Sequence, residues 1–334
     1  MNELNVAFLG AGRMGLTHLR NLLGVPGVRV RVVADTSLDH ARAGAAIARA
    51  ERATDDIAGA IEAPDVDAVL LATPTGTHAE LIERAVGAGK PVWCEKPVAL
   101  TLDDTRRVQA AVAAAGVPAM IGFMRRFDPG YAAAKRAIDA GELGQIERFR
   151  ALSCDFAPPP PDYLRTSGGI FVDMSVHDFD LARFLVGEVA EVSAWGGVLI
   201  DPVFAEIGDS DTAVALLRFE SGALGIVEAS RRTTWGYDIR TEVAGSRAKL
   251  VVEASQKTPL LLSRDLGYSG AHYQSFPDRF EAAYRAELAY FFDCLRSGVT
   301  PAPRVADALE SLRVALAAAK SLRERRPVRV SEIQ

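Results

Sequence analysis

The 334 residues hold only three cysteines, Cys94, Cys154 and Cys294, too few and too far apart for a disulfide framework or a zinc ligand cluster. A reducing cytoplasm is the compartment this usage predicts. No run of about 18 apolar residues occurs, and Met1 leads straight into a strand-like segment with no basic region and apolar stretch before it. Neither a membrane span nor secretion is expected. Lysine and arginine number 38 against 43 acidic residues, a net charge of −5, with no basic run and no interleaved aromatic stripe, so nucleic acid is not an expected partner. The five histidines, His18, His40, His78, His177 and His272, are scattered and form no three-ligand set with Cys, Asp or Glu, so no metal is expected. Gly-x-Ser-x-Gly elbows and P-loop lysines are absent too, which leaves acyl and phosphoryl transfer without a foothold.

What is present starts with a strand. Val6-Ala7-Phe8-Leu9 reads as a buried parallel strand that runs into Gly10-Ala11-Gly12-Arg13-Met14-Gly15 and then a helix. In that context the first glycine makes a tight turn, the second lets the backbone approach a pyrophosphate, and the third lets helix and strand pack closely. A second strand, Val28 to Ala34, ends at Asp35, 20 residues beyond Gly15. Its carboxylate would bond the adenosine ribose hydroxyls, with Thr36 beside it, and would repel a 2′-phosphate; the expected cofactor is NAD rather than NADP.

Apolar runs at Ala68 to Ala72, Val92 to Glu95 and Pro118 to Gly122 continue the alternation of strands with Ala- and Leu-rich helices, one of them capped at Thr101 and stopped at Gly116. The pattern predicts an α/β, doubly wound parallel Rossmann sheet over residues 1–122. Residues 123–334 change character. After a helical linker near Pro129 to Ala140, strands at Ile146 to Ser153, Glu191 to Leu199, Thr212 to Phe219, Ala223 to Ala229, Tyr237 to Ala244 and Ala248 to Val252 are separated by turns such as Glu220-Ser221-Gly222. They predict an α+β domain on an open, mostly antiparallel sheet, closed by helices near Phe280 to Leu295 and Val305 to Arg323. Helices can cover one face of such a sheet, and the other asks for a second copy of the chain.

Two constellations carry chemistry. Glu95-Lys96-Pro97 follows the fourth apolar run, at the carboxyl end where a doubly wound sheet opens its crevice. The Lys96 ammonium would donate to a substrate hydroxyl and to the nicotinamide ribose. Further on, Asp173 and His177 stand four apart on a helix that follows Ser167-Gly168-Gly169. Oxidising a secondary alcohol needs a base for the hydroxyl proton, which suits His177, with Asp173 orienting it or binding a neighbouring hydroxyl. Lys96 and His177 are expected to converge on one hydroxyl.

Taken in order, Gly10 to Gly15, Ala72-Thr73-Pro74-Thr75 to His78, Glu95-Lys96-Pro97 and the Asp173/His177 helix resemble the glucose-fructose oxidoreductase and inositol dehydrogenase family over essentially the whole chain. Gly122-Phe123-Met124-Arg125-Arg126-Phe127-Asp128, the proline-rich loop Pro158 to Pro161 before Ser167, and Asp209-Ser210-Asp211-Thr212-Ala213 resemble its inositol 2-dehydrogenase branch. The resemblance implies oxidation of the axial hydroxyl of myo-inositol by NAD to a 2-keto-inositol, within inositol catabolism. It implies Lys96, Asp173 and His177 as the catalytic set, with His177 the proton acceptor. Thr73, Pro74, His78 and Glu95 join the glycine turn at the cofactor, while Arg125 or Arg126, Asp155 and Tyr237 contact substrate. A cis Lys96–Pro97 bond and a homotetramer stacked through the open sheet are implied as well. An amide would serve equally at Asp155, which leaves the polyol preference open; a ring with all-equatorial hydroxyls fits the same cleft, so scyllo-inositol or a pyranose sugar is the alternative substrate. A non-catalytic NAD sensor, the remaining alternative, would have no use for Lys96.

Overall fold

The computed structural model describes residues 3–253, 256–264 and 267–334. Its first part runs β1 (Leu4–Leu9), α1 (Arg13–Leu22), β2 (Val28–Ala34), α2 (Leu38–Ala48), β3 (Arg52–Thr54), α3 (Ile57–Glu62), β4 (Ala68–Leu71), α4 (Thr75–Gly87), β5 (Val92–Glu95), α5 (Leu102–Ala115) and β6 (Ala119–Gly122). All six strands are parallel, in the order β3-β2-β1-β4-β5-β6. The strand order therefore reverses between β1 and β4, and the crevice beyond their carboxyl ends is where such a sheet receives a ligand. Helices on both faces explain why β4 and β6 are buried at every residue. Local chemistry sets the helix ends: the Asp104 N–H donates to the Thr101 hydroxyl at 3.1 Å to start α5, and Gly116, at a φ of 63°, ends it.

The chain continues through α6 (Pro129–Asp139), β7 (Ile146–Cys154), α7 (Pro161–Leu164), α8 (Val176–Leu185), β8 (Val189–Gly197), α9 (Val203–Glu206), β9 (Thr212–Phe219), β10 (Leu224–Ser230), β11 (Asp238–Gly245) and β12 (Lys249–Val252). A hairpin of β13 (Gln256–Arg264) and β14 (Gly267–His272), then α10 (Phe276–Arg279), α11 (Glu281–Ser297), α12 (Val305–Glu324) and β15 (Val328–Arg329) complete it. Seven strands form one sheet in the order β12-β11-β7-β10-β9-β8-β15. The expected hairpin forms at Glu220-Ser221-Gly222, and another at Gly245-Ser246. One central pair departs from the antiparallel pattern, because β7 and β10 run parallel with Leu224 opposite Arg148. No turn joins these two strands, so turn signals carried no information about their direction. Strands β3 and β15, only three and two residues long, left no readable period either.

Contacts divide the chain into two compact units, Met1–Phe127 with Glu281–Glu310, and Asp128–Phe280 with Ser311–Gln334. A single cut after residue 122 would leave α11 with the later strands, whereas its Leu288, Phe291 and Phe292 are buried in one cluster with Phe8, Leu19, Val30, Trp93 and Met120. Helical period marks an apolar face without saying which core receives it. In the second unit, Ala213, Ala215, Leu217, Phe219, Val227 and Ala229 point inward from β9 and β10. On the opposite face Trp195, Leu216 and Leu224 are 58%, 44% and 57% exposed.

Candidate active site

In the first unit the glycines divide their labour. A Cβ on Gly10, whose φ is +90°, would lie 2.5 Å from the Ala72 carbonyl oxygen, and one on Gly15 would lie 1.9 Å from that of Gly10. A Cβ on Gly12 would meet nothing within 4 Å. The outer two glycines let the protein pack on itself, and the middle one keeps open space beside the backbone. Helix α1 starts there with no side-chain cap and no acid in its first turn, leaving its N–H groups and positive dipole end for an anion. Asp35 is anchored at the same turn: one carboxylate oxygen accepts from the Ala11 N–H at 2.7 Å, the other from the Ser37 N–H at 2.9 Å. These residues fit a dinucleotide, which would set its pyrophosphate at the uncapped helix and a ribose at Asp35.

Thr73 and Pro74 follow β4 and open α4. His78 is 1% exposed, with Nδ1 2.8 Å from the Pro97 carbonyl and Nε2 2.8 Å from the Thr73 carbonyl. Burial lowers its pKa, against the pull of those two carbonyls. A neutral ring carries a single N–H, so it donates to one carbonyl at a time. His78, expected among the cofactor contacts, thus lies between the Thr73 and Pro97 carbonyls and hydrogen-bonds one or the other.

The Lys96–Pro97 bond is cis. Just before it, the Glu95 carboxylate accepts from the Lys96 N–H at 3.1 Å and bonds His18 Nε2 at 2.7 Å. His18 is fully buried, edge-on to Trp93 and Tyr284 at centroid distances of 4.6 and 5.1 Å. Glu95 is thereby fastened on both oxygens and fixes the backbone that carries Lys96. Farther along, Arg125 is buried and Arg126 pairs with Asp307 at 3.4 Å.

In the second unit, strand register assembles the site. Cys154 of β7 stands opposite both Ser230 of β10 and Asp238 of β11. The residues just beyond those ends, Asp155, Arg231 and Tyr237, therefore leave three neighbouring strands side by side. Arg231, 1% exposed, places Nη1 2.7 Å from Asp173 Oδ2 and 4.0 Å from Asp155 Oδ2. Tyr163, presented by α7 after the proline-rich loop, donates its hydroxyl to Asp173 Oδ1 at 2.6 Å. Asp173 lies in a π-helical turn, Phe171–Ser175, a local widening that recurs at functional sites and that a 3.6-residue period does not foretell. Half-buried His177 follows in the first turn of α8, whose Asp178 accepts from the Ser153 hydroxyl at 2.8 Å and ties the helix to β7. Tyr237 packs against Phe276 and Phe280.

Burial first, then Asp238 and Asp155, push the Cys154 thiol up to about 12, and burial holds that of Cys94 well above its ordinary value. Among the described residues no group of three or more His, Cys, Asp or Glu is placed to hold a metal ion, and no helix is long and apolar enough to cross a membrane.

Residues 4–123 match the model of an oxidoreductase family with an NAD-binding Rossmann fold, and residues 131–251 match the GFO/IDH/MocA C-terminal domain. The myo-inositol 2-dehydrogenase of Thermotoga maritima is 40% identical over 99% of both chains. The scyllo-inositol 2-dehydrogenase (NAD(+)) of Bacillus subtilis is 39% identical over 98% of this chain and 97% of its own. The chain belongs to the GFO/IDH/MocA oxidoreductase family. A crystal structure of a probable dehydrogenase from Thermotoga maritima superposes with a TM-score of 0.96 at 40% identity, covering 99% of this chain and 100% of that one. In this GFO/IDH/MocA member the glycine turn, Asp35, Lys96, Asp173 and His177 stood out in the sequence, whereas His18, Tyr163 and Arg231 did not. Their only sequence signals were positional: His18 shares the inward face of α1 with Leu19 and Leu22, Tyr163 follows a stiff loop, and Arg231 ends a strand.

Proposed function

We propose that this family member is an NAD-dependent dehydrogenase of cyclic polyols, oxidising the 2-hydroxyl of myo-inositol to 2-keto-myo-inositol. The observation that carries this reading is the Asp173 carboxylate, held by Arg231 and Tyr163 one turn before His177: a fixed acid and an adjacent imidazole suit removal of a hydroxyl proton. NAD, when bound, supplies the acceptor for the hydride that leaves the carbinol carbon. His177 takes the hydroxyl proton, Asp173 orients it, and Lys96 donates a hydrogen bond to the substrate oxygen while that proton departs. Thr73 and Pro74 flank the cofactor; Arg125 or Arg126, with Asp155 and Tyr237, receives the remaining hydroxyls.

The near-equal identity to a relative named for scyllo-inositol supports that isomer as the second reading. Initial rates of NAD reduction with myo-inositol, scyllo-inositol and glucose separate the candidates; the fastest turnover is expected on myo-inositol, and no NAD reduction with any cyclic polyol overturns the assignment. The outward sheet face carrying Trp195, Leu216 and Leu224 suits a homotetramer in which a second copy covers it.

A further inference from the structure

We propose that Arg231 is a positioning residue that keeps Asp173 an ionised, fixed carboxylate, so that His177 alone accepts the substrate proton. The inference rests on the polyol dehydrogenase reading and adds a residue to it. Two acid–base candidates one turn apart raise the question of which takes the proton, and the geometry answers it. Both oxygens of Asp173 are already engaged by donors, Oδ2 by the Arg231 guanidinium at 2.7 Å and Oδ1 by the Tyr163 hydroxyl at 2.6 Å. A carboxylate bonded through both oxygens, one of them to a buried cation, is stabilised in its charged form and is a poor proton acceptor.

Arg231 is held for this task from several directions. Its N–H donates to the Asp211 carbonyl at 2.8 Å, which fixes the main chain just past β10. Burial works against its charge, but Asp173, then Asp155 and Asp209, outweigh burial and raise its pKa. The charged and titratable groups around Asp173 thus come from separate elements: Tyr163 from α7, Arg231 after β10, Asp155 after β7, Asp209 before β9, and His177 on its own helix. Glu228, the acid within β10, bonds Arg150 instead. Nε and Nη2 of Arg231 have no partner among the described residues, so only one edge of the guanidinium is committed to Asp173.

The test is the pH dependence of kcat and kcat/KM for myo-inositol at saturating NAD, measured on wild type, Arg231→Met, Arg231→Lys and Tyr163→Phe together with melting temperatures. For Arg231→Met we expect kcat to fall by about a hundredfold, with the KM for NAD unchanged and a second titration entering the acid limb as Asp173 begins to bind the proton. Arg231→Lys keeps the charge and should restore the single-limb profile and most of the rate. Tyr163→Phe leaves the buried Asp173 paired with Arg231 through Oδ2; it should move the acid limb in the same direction with a loss of about tenfold. A folded Arg231→Met enzyme with an unaltered profile shape reduces Arg231 to a structural ion pair and overturns the proposal. If that variant does not fold, an unaltered profile in Tyr163→Phe overturns it. A wild type inactive on every cyclic polyol removes the dehydrogenase reading and this inference with it, whereas an active wild type with unaltered variants removes the inference alone.

Discussion

The two units build their candidate ligand-binding surfaces in opposite ways. The first makes its cradle mainly from backbone: three glycines within six residues, an uncapped helix start and one aspartate that bonds the turn itself. The second makes its candidate site from side chains at Asp155, Tyr163, Asp173, His177, Arg231 and Tyr237, spread over more than 80 residues and gathered by strand register. A backbone cradle depends on local conformation and tolerates change outside its glycines. A side-chain network depends on the whole sheet, and each member is exposed to the loss of its partners.

Lys96 is the side chain that keeps this contrast from being absolute, and replacing it has the largest expected effect. Lys96→Ala should lower kcat by about a hundredfold or more, the range of general acid–base contributions, while the Kd for NADH from fluorescence titration stays near wild type. Unchanged turnover would make the first unit a cofactor cradle without chemistry of its own.

The cradle itself is tested by comparing two glycines. Gly15→Ala forces a Cβ to within 1.9 Å of the Gly10 carbonyl oxygen unless the backbone moves; a loss of about 3 kcal/mol in unfolding free energy is expected, the upper range for overpacking. Gly12→Ala places its methyl in open space and should leave the melting temperature alone. It should nevertheless weaken NAD binding by about tenfold, because the methyl stands where the pyrophosphate approaches. Wild-type NAD affinity in Gly12→Ala would show that the turn does not hold the pyrophosphate.

The same contrast explains what could be read in the chain. Alternating apolar runs and the Gly10 to Gly15 turn are local signals, so the first sheet and its cofactor were legible, and the Asp173/His177 spacing pointed to part of the candidate site in the second unit. Arg231 was hidden because its partner Asp173 is 58 residues away and no turn announces that β7 and β10 run parallel. The linear motif pointed His78 toward the cofactor but carried no sign of its depth or of the Thr73 and Pro97 carbonyls beside its ring. The destination of α11 was equally hidden, since an apolar helix face is the same signal whichever core it joins.

Asp211 gives the smallest and most selective test of the network's dependence on distant parts. It is fully buried, and its carboxylate accepts from the N–H groups of Leu199, Ile200 and Asp201 at 2.9, 2.7 and 3.1 Å and from the Thr212 hydroxyl at 3.0 Å. Burial alone would raise its pKa; the amide and hydroxyl donors prevail and hold it below the ordinary 3.8. Because its main-chain carbonyl also receives the Arg231 N–H, this carboxylate supports the strand end that carries Arg231. Asp211→Asn keeps the size but turns an NH₂ toward donors, and should cost about 2 kcal/mol at neutral pH. A carboxyl whose pKa is lower folded than unfolded stabilises the fold above its unfolded pKa, and that contribution is lost as pH falls through the folded value. Denaturant titrations across pH should therefore show a constant wild-type advantage from neutrality to about pH 5, shrinking once the pH drops below 3.8. An advantage that persists undiminished into stronger acid would place the stabilisation in the shape of the loop rather than in the charge of Asp211.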